Sequence, residues 1–146
     1  MLEINNKTKY KVDKKVAKEL ATSVLEFYKL NDKEVSLVII GDKRMKSLNH
    51  QFRDIDKTTD VLSFSGDKVN PQFLGEIFIN INEADSPKKY LEVLGGAKPC
   101  DYIFNFLLIH GLLHLIGYSD KTKKGRQTMI TLGEQFLDRF FKKKVL

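Results

Sequence analysis

Two of the chain's three histidines, His110 and His114, stand four residues apart in the run His110-Gly111-Leu112-Leu113-His114-Leu115-Ile116-Gly117-Tyr118-Ser119-Asp120. On a helix, that spacing puts both imidazoles on one face. Stacked in this way they can hold one divalent ion, because Zn–N bonds of about 2.0–2.1 Å require both nitrogens to converge on a single point. A residue from the following loop must complete the site. Gly117 can end the helix in a left-handed cap and turn the chain back, bringing Ser119 and Asp120 towards the histidine face. Asp120 is the expected third ligand, through a carboxylate oxygen at about 2.0–2.2 Å. Taken singly, each histidine would read as a core polar group bonded to backbone. The pair, the glycine break and the acid beyond it together favour a metal site.

The neighbouring positions narrow the chemistry. A zinc peptidase of the H-E-x-x-H type carries its general base directly after the first histidine, but here that position is Gly111. Ordinary metal-assisted peptide hydrolysis is therefore disfavoured. Cys100 precedes His110 on the same stretch by about 15 Å of helix, too far to share an ion. His50 lies far upstream.

The elements that must position these residues follow from pattern. Phe104, Phe106, Leu107, Leu108, Ile109, Leu112, Leu113, Leu115 and Ile116 surround the histidines on all sides, which predicts a central, buried helix starting at Asp101 after the Lys98-Pro99 break. Leu2 to Asn5 reads as a strand. Asp13 to Tyr28 reads as an amphipathic helix with Asp13 as N-cap. Glu34 to Ile40 is β-branched and strand-like, and Asp42 to Phe52 a short helix. Val61 to Ser65 and Gly75 to Ile81 read as further strands, the second with Ile77, Ile79 and Ile81 alternating against Phe78 and Asn80. Asp60 is expected to fix the turn into its strand. Lys123 to Lys143 forms a last helix. The order predicts an α+β fold, a mixed sheet of about four strands with helices packed on it, within a single domain spanning residues 1–146.

Composition sets outer bounds. The chain has 146 residues, 42% hydrophobic, enough to bury a core. No secretory signal or long apolar span is visible, so neither a membrane partner nor export is expected. The single cysteine excludes an internal disulfide framework and suits the cytoplasm. A net charge of +6 favours an acidic partner, nucleic acid first. Lys121, Lys123, Lys124 and Arg126 follow the expected ligand and are placed to meet phosphates. Lys142, Lys143 and Lys144 read as a solvated tail.

The histidine run resembles the signature H-G-x-L-H-L-x-G-[YF]-D-H of the YbeY family, bacterial endoribonucleases and ribosomal-RNA maturation factors with a three-histidine zinc site. Leu48-Asn49-His50-Gln51-Phe52-Arg53, Thr59-Asp60-Val61-Leu62-Ser63-Phe64 and Leu74-Gly75-Glu76-Ile77 are similar to its L-N-x-x-[FY]-R, T-D-V-L-S-F-P and L-G-[DE]-I segments. Three departures stand out. Ser65 replaces the family's proline, Ser119 its aspartate, and Asp120 its third histidine. Either the site becomes two histidines and a carboxylate, or metal binding is weakened or lost. In a slipped register, Lys121 would fall at the ligand position, and a protonated lysine cannot coordinate.

The resemblance implies a zincin-like architecture, one zinc per chain, and a single-strand-specific endoribonuclease. Its partners would be ribosomal RNA and ribosomal particles rather than DNA, and its role ribosomal-RNA maturation and ribosome quality control. It also singles out Arg53, whose guanidinium can clamp a phosphate with two parallel hydrogen bonds and act catalytically. The expected chemistry is metal-assisted hydrolysis of an RNA phosphodiester. Two rival readings remain. One is a non-catalytic ribosome-assembly or RNA-binding factor with a degraded metal site. The other is a metal hydrolase of another substrate, consistent with the absence of an aromatic RNA-stacking motif.

Overall fold

The computed structural model describes residues 1–145. Three parallel strands, β1 (Leu2–Asn6), β2 (Glu34–Ile40) and β4 (Phe73–Asn80), share one sheet with β3 (Val61–Ser65), in the order β1-β2-β4-β3. β3 runs antiparallel to β4, with Ser63 opposite Ile77. The helices are α1 (Lys14–Phe27), α2 (Asp42–Arg53), α3 (Ile81–Ala84), α4 (Cys100–Ile116) and α5 (Lys123–Val145), with a 3-10 turn at Pro87–Tyr90. This is the expected α+β fold with a four-stranded mixed sheet.

The period-2 alternation of β2 and β4 divides the apolar residues between two faces. Leu37, Ile39, Ile77 and Ile79 join the larger core with Leu20 and Val24 of α1, Leu108 and Leu112 of α4, and Leu137 of α5. Val38, Ile40 and Leu62 form a smaller core on the opposite face with Met45 of α2, flanked by Leu48, Phe64 and Phe78. α4 and α2 therefore lie on opposite sides of the sheet. Burial on both faces explains why β2 reads as a nearly continuous apolar run rather than an alternating one.

α1 starts where expected: the Asp13 side chain accepts from the Val16 N–H at 3.1 Å, satisfying a donor that the first turn leaves open. Asp60 likewise fixes the entry to β3, accepting from the Val61 N–H at 2.8 Å and from the Tyr90 hydroxyl at 3.0 Å. α4 is apolar on every side, and eleven of its residues are buried, as its sequence predicts.

Several boundaries differ from expectation: β1 runs on to Asn6, α1 spans Lys14–Phe27, β4 starts earlier, at Phe73, and α5 extends to Val145. Ile81 does not extend β4 but opens α3, because the Asn80 side chain accepts from the Asn82 N–H at 3.1 Å and turns the chain into a helix. α4 begins at Cys100, one residue early, since Pro99 itself occupies the cap. α2 runs on to Arg53 and stops at Asp54, which adopts a left-handed conformation with φ 56°. Lys142 is exposed. The expectation of a solvated tail at Lys143 and Lys144 concerns side chains outside the described residues. Among those described, no helix is long and apolar enough to cross a membrane.

Gly111 sets how closely α4 sits on the sheet. A Cβ at this position would lie 2.7 Å from the Ile77 Cγ2 atom, well inside van der Waals contact. Position 111 faces the sheet, so the residue beside His110 is selected by packing.

Candidate metal centre

His110 and His114 occupy successive turns of α4, with ring centroids 4.8 Å apart and planes nearly perpendicular. The helix then ends in a Schellman-type cap. The Gly117 N–H donates to the His114 carbonyl at 3.1 Å and the Tyr118 N–H to the Leu113 carbonyl at 3.0 Å. Gly117 has φ 127°, a conformation open to glycine and strained for other residues. This turn returns the chain to the histidine face. Asp120 Oδ2 lies 3.3 Å from His110 Nε2 and 3.2 Å from His114 Nε2.

The ligand atoms of His110, His114 and Asp120 all lie within 4.8 Å of one another. The structure thus brings together the three residues that sequence singled out. Asp120 occupies the converging position. Lys121 is exposed, and its backbone N–H donates to Ser119 Oγ at 3.3 Å. His50 is exposed on α2, and Cys100 sits at the start of α4. Neither joins the cluster.

The donor chemistry suits a cation. His114 Nδ1 lies 3.2 Å from the Tyr118 carbonyl oxygen, which can only accept, so Nδ1 carries a proton, and in the singly protonated ring the Nε2 lone pair faces Asp120. Two lone-pair-bearing groups facing one another require a positive charge between them, supplied by a proton or a metal ion. Burial, followed by the charge of His114, holds His110 below its ordinary 6.5 despite the opposing pull of Asp120, favouring the ligating form. Burial opposes ionisation of Asp120, but His114 and His110 outweigh it and hold the carboxyl below its ordinary range. Asp120 is thus an anion well above that range. The Nδ1 atom of His110 is buried without a hydrogen-bond partner among the described residues, so on that side the ring is held by packing, including Phe106 at 6.2 Å between centroids.

Two contributors escaped the sequence. The Tyr118 carbonyl orients His114, a role carried by backbone and signalled only through Gly117. Ser63 of β3 donates from Oγ to the Gly111 carbonyl at 3.1 Å, tying the edge strand to the helix between the two histidines. A polar residue in an otherwise apolar strand segment was the available signal.

The remaining expected residues surround this centre at different ranges. Lys123 and Lys124 line a cavity of about 700 Å³ along the first turns of α5, with Gln127, Thr128, Thr131 and Leu132. Arg126 is exposed on the same helix, outside that lining. Arg53 is exposed at the end of α2, on the far side of the sheet from α4, beside Phe52, whose ring packs 5.2 Å from Phe64. No hydrogen bond or ion pair links Arg53 to the triad among the described residues.

A mixed four-stranded sheet, a buried helix with two histidines one turn apart, and a carboxylate returned by the next loop define an α+β protein with a donor set suited to one metal ion. Comparison with known proteins makes the class specific. Residues 3–141 match the sequence model of Endoribonuclease YbeY, and the chain belongs to that family of nucleases. It is 30% identical to Endoribonuclease YbeY of Acholeplasma laidlawii, covering 94% of this chain and 96% of that protein. It is 35% identical to the enzyme of the same name from Persephonella marina, covering 87% and 83%. The solution structure of TM1509 from Thermotoga maritima shares the fold, with a TM-score of 0.64 and 23% identity over 98% of this chain and 91% of that one.

Proposed function

We propose that the chain is a metal-dependent, single-strand-specific endoribonuclease, one domain across residues 1–146, acting in the cytoplasm on ribosomal RNA within ribosomal particles. The observation that carries this reading is the convergence of Asp120 Oδ2 on both histidine Nε2 atoms in a chain of the YbeY family. His110, His114 and Asp120 would hold the ion, with zinc matched to two imidazoles and one carboxylate. When bound, such an ion supplies a Lewis acid that acidifies a coordinated water and polarises a phosphoryl oxygen.

The chain's own residues do the rest. The Tyr118 carbonyl locks the His114 tautomer, fixing where its lone pair points. Asp120 contributes negative charge and closes the loop between α4 and α5. Arg53, exposed and without a polar partner among the described residues, is free to clamp a phosphate through two parallel N–H donors. Lys121, Lys123, Lys124 and Arg126 provide a basic track at the start of α5, just after Asp120.

A carboxylate where the family has its third histidine favours one second reading, an RNA-binding assembly factor that has lost metal. Metal analysis of protein purified without chelator or metal-affinity tag, paired with cleavage of single-stranded and duplex RNA, separates the two. The enzyme reading expects stoichiometric metal and chelator-sensitive cleavage of the single strand. RNA binding with neither metal nor cleavage would establish the assembly factor.

A further inference from the structure

Away from the histidine helix, the ends of β1 and β2 and the start of α2 enclose a cavity of about 530 Å³. Four cations line it from two segments: Lys7 and Lys9 follow β1, while Lys43 and Arg44 lie in the first turn of α2. All four are exposed, and their side chains make no hydrogen bond or ion pair among the described residues. Asp42 is the one carboxylate in the lining, and its Oδ1 is engaged by the Asn80 amide at 2.6 Å. Tyr10, 43% exposed, stands in the same wall. Asp85, outside the lining, accepts from the Tyr10 hydroxyl at 3.4 Å. Lys7 and Arg44 also border a second cavity of about 270 Å³, whose floor is apolar: Val38, Leu48 and Phe78.

Four unpaired cations around one concavity repel each other, and a polyanion relieves that repulsion. Phosphates alone would need only the charges. An exposed ring and an apolar floor beside them match the other half of a nucleotide, since single-strand binders combine a basic groove with surfaces on which bases stack. We propose that this pair of cavities is a second contact for single-stranded RNA. Lys7, Lys9, Lys43 and Arg44 grip the backbone and Tyr10 stacks on a base. The inference rests on the reading of the chain as an RNA-acting enzyme. No residue lining either cavity belongs to the triad or to α4, so the RNA held here is a different part of the strand from that at the triad. Long substrates gain from the contact and short ones do not.

The test measures binding of a long and a short single-stranded oligoribonucleotide across a salt series. It compares the parent, Lys7→Ala/Lys9→Ala, Lys43→Ala/Arg44→Ala and Tyr10→Ala, each checked for folding by circular dichroism. The expected result is a loss of tenfold or more in affinity for the long strand. Each paired variant should also lower the salt slope by about 1.4, roughly 0.7 per lost phosphate contact on single strands, and affinity for the short strand should not change. Lysine acetylation of the unmutated protein is an independent check: the long strand should protect Lys7, Lys9 and Lys43. Unchanged long-strand affinity with no protection overturns the second contact while leaving the enzyme reading intact. A parent that binds no RNA overturns both. Protection by an acidic peptide but not by RNA assigns the patch to a protein partner and overturns the inference.

Discussion

The 3.2 Å contact between His114 Nδ1 and the Tyr118 carbonyl oxygen decides which nitrogen of His114 faces Asp120. Because a carbonyl accepts and never donates, the proton must sit on Nδ1 and Nε2 is left to bind. The same glycine cap that offers this carbonyl also returns Asp120, so one turn sets both the orientation of one ligand and the position of another.

Asp120→Ala removes the carboxylate that both histidines face. Zinc affinity should fall by more than the roughly 10–100-fold that loss of an outer partner costs. Asp120→His should retain binding. A neutral ligand leaves the ion more of its charge, so the rising limb of the pH–rate profile should move to lower pH. Zinc titration of the parent and both variants is the check, and equal affinities for the parent and Asp120→Ala would remove Asp120 from the ligand set.

Gly117→Ala tests the cap. Nothing lies within 4 Å of a Cβ built there, so the cost is conformational alone. A destabilisation of about 1–2 kcal/mol is expected in urea unfolding, with weaker zinc binding because Asp120 loses its approach. A variant with the lost stability but parental zinc affinity would separate the turn from the site.

The metal-free protein should lose stability as pH falls through the histidine range. His110 is held below 6.5 in the fold, so between 6.5 and that lower folded value the unfolded chain binds more protons than the native one. Its contribution is fully present above pH 6.5 and is lost as pH falls through the folded value. Urea midpoints across pH with chelator present should show this slope, and His110→Gln should flatten it. The Asp120 carboxyl, lowered from 3.8, acts in a separate, more acidic window.

Arg53→Lys should keep the fold, since the residue is exposed and surface changes stay within about 0.5 kcal/mol. RNA cleavage should fall by roughly 10²-fold, the order for losing one transition-state donor, because an ammonium cannot reproduce the planar fork. Cleavage equal to the parent at matched salt would remove Arg53 from the machinery. That outcome has a structural motive, as α2 lies across the sheet from the histidines.

The triad was legible because its members fall within one short stretch, where helix periodicity and a glycine stop are local signals. The strands were legible for the same reason, down to the identical bounds of β2 and β3. Their order was not: β4 enters between β2 and β3, and pairing of that kind depends on contacts far apart in sequence. The end of β4 was missed because the Ile77, Ile79, Ile81 alternation runs on past Asn80, whose side chain overrides it. That α2, which ends at Arg53, packs on the other sheet face from the histidine helix was hidden, since motif order along a chain carries no information about sheet faces.

The antiparallel pairing of β3 with β4 has a consequence for how the molecule assembles. These strands are consecutive in the chain and joined by residues 66–72, whereas the parallel pairs β1–β2 and β2–β4 each need a crossover. Loop-closure entropy therefore favours the β3–β4 hairpin as the earliest sheet contact. Ser63 and Ile77, on which Gly111 later rests, both belong to that hairpin. By that argument the seat of the histidine helix is expected to form before the rest of the sheet, so that α4 docks onto a surface that local folding has prepared.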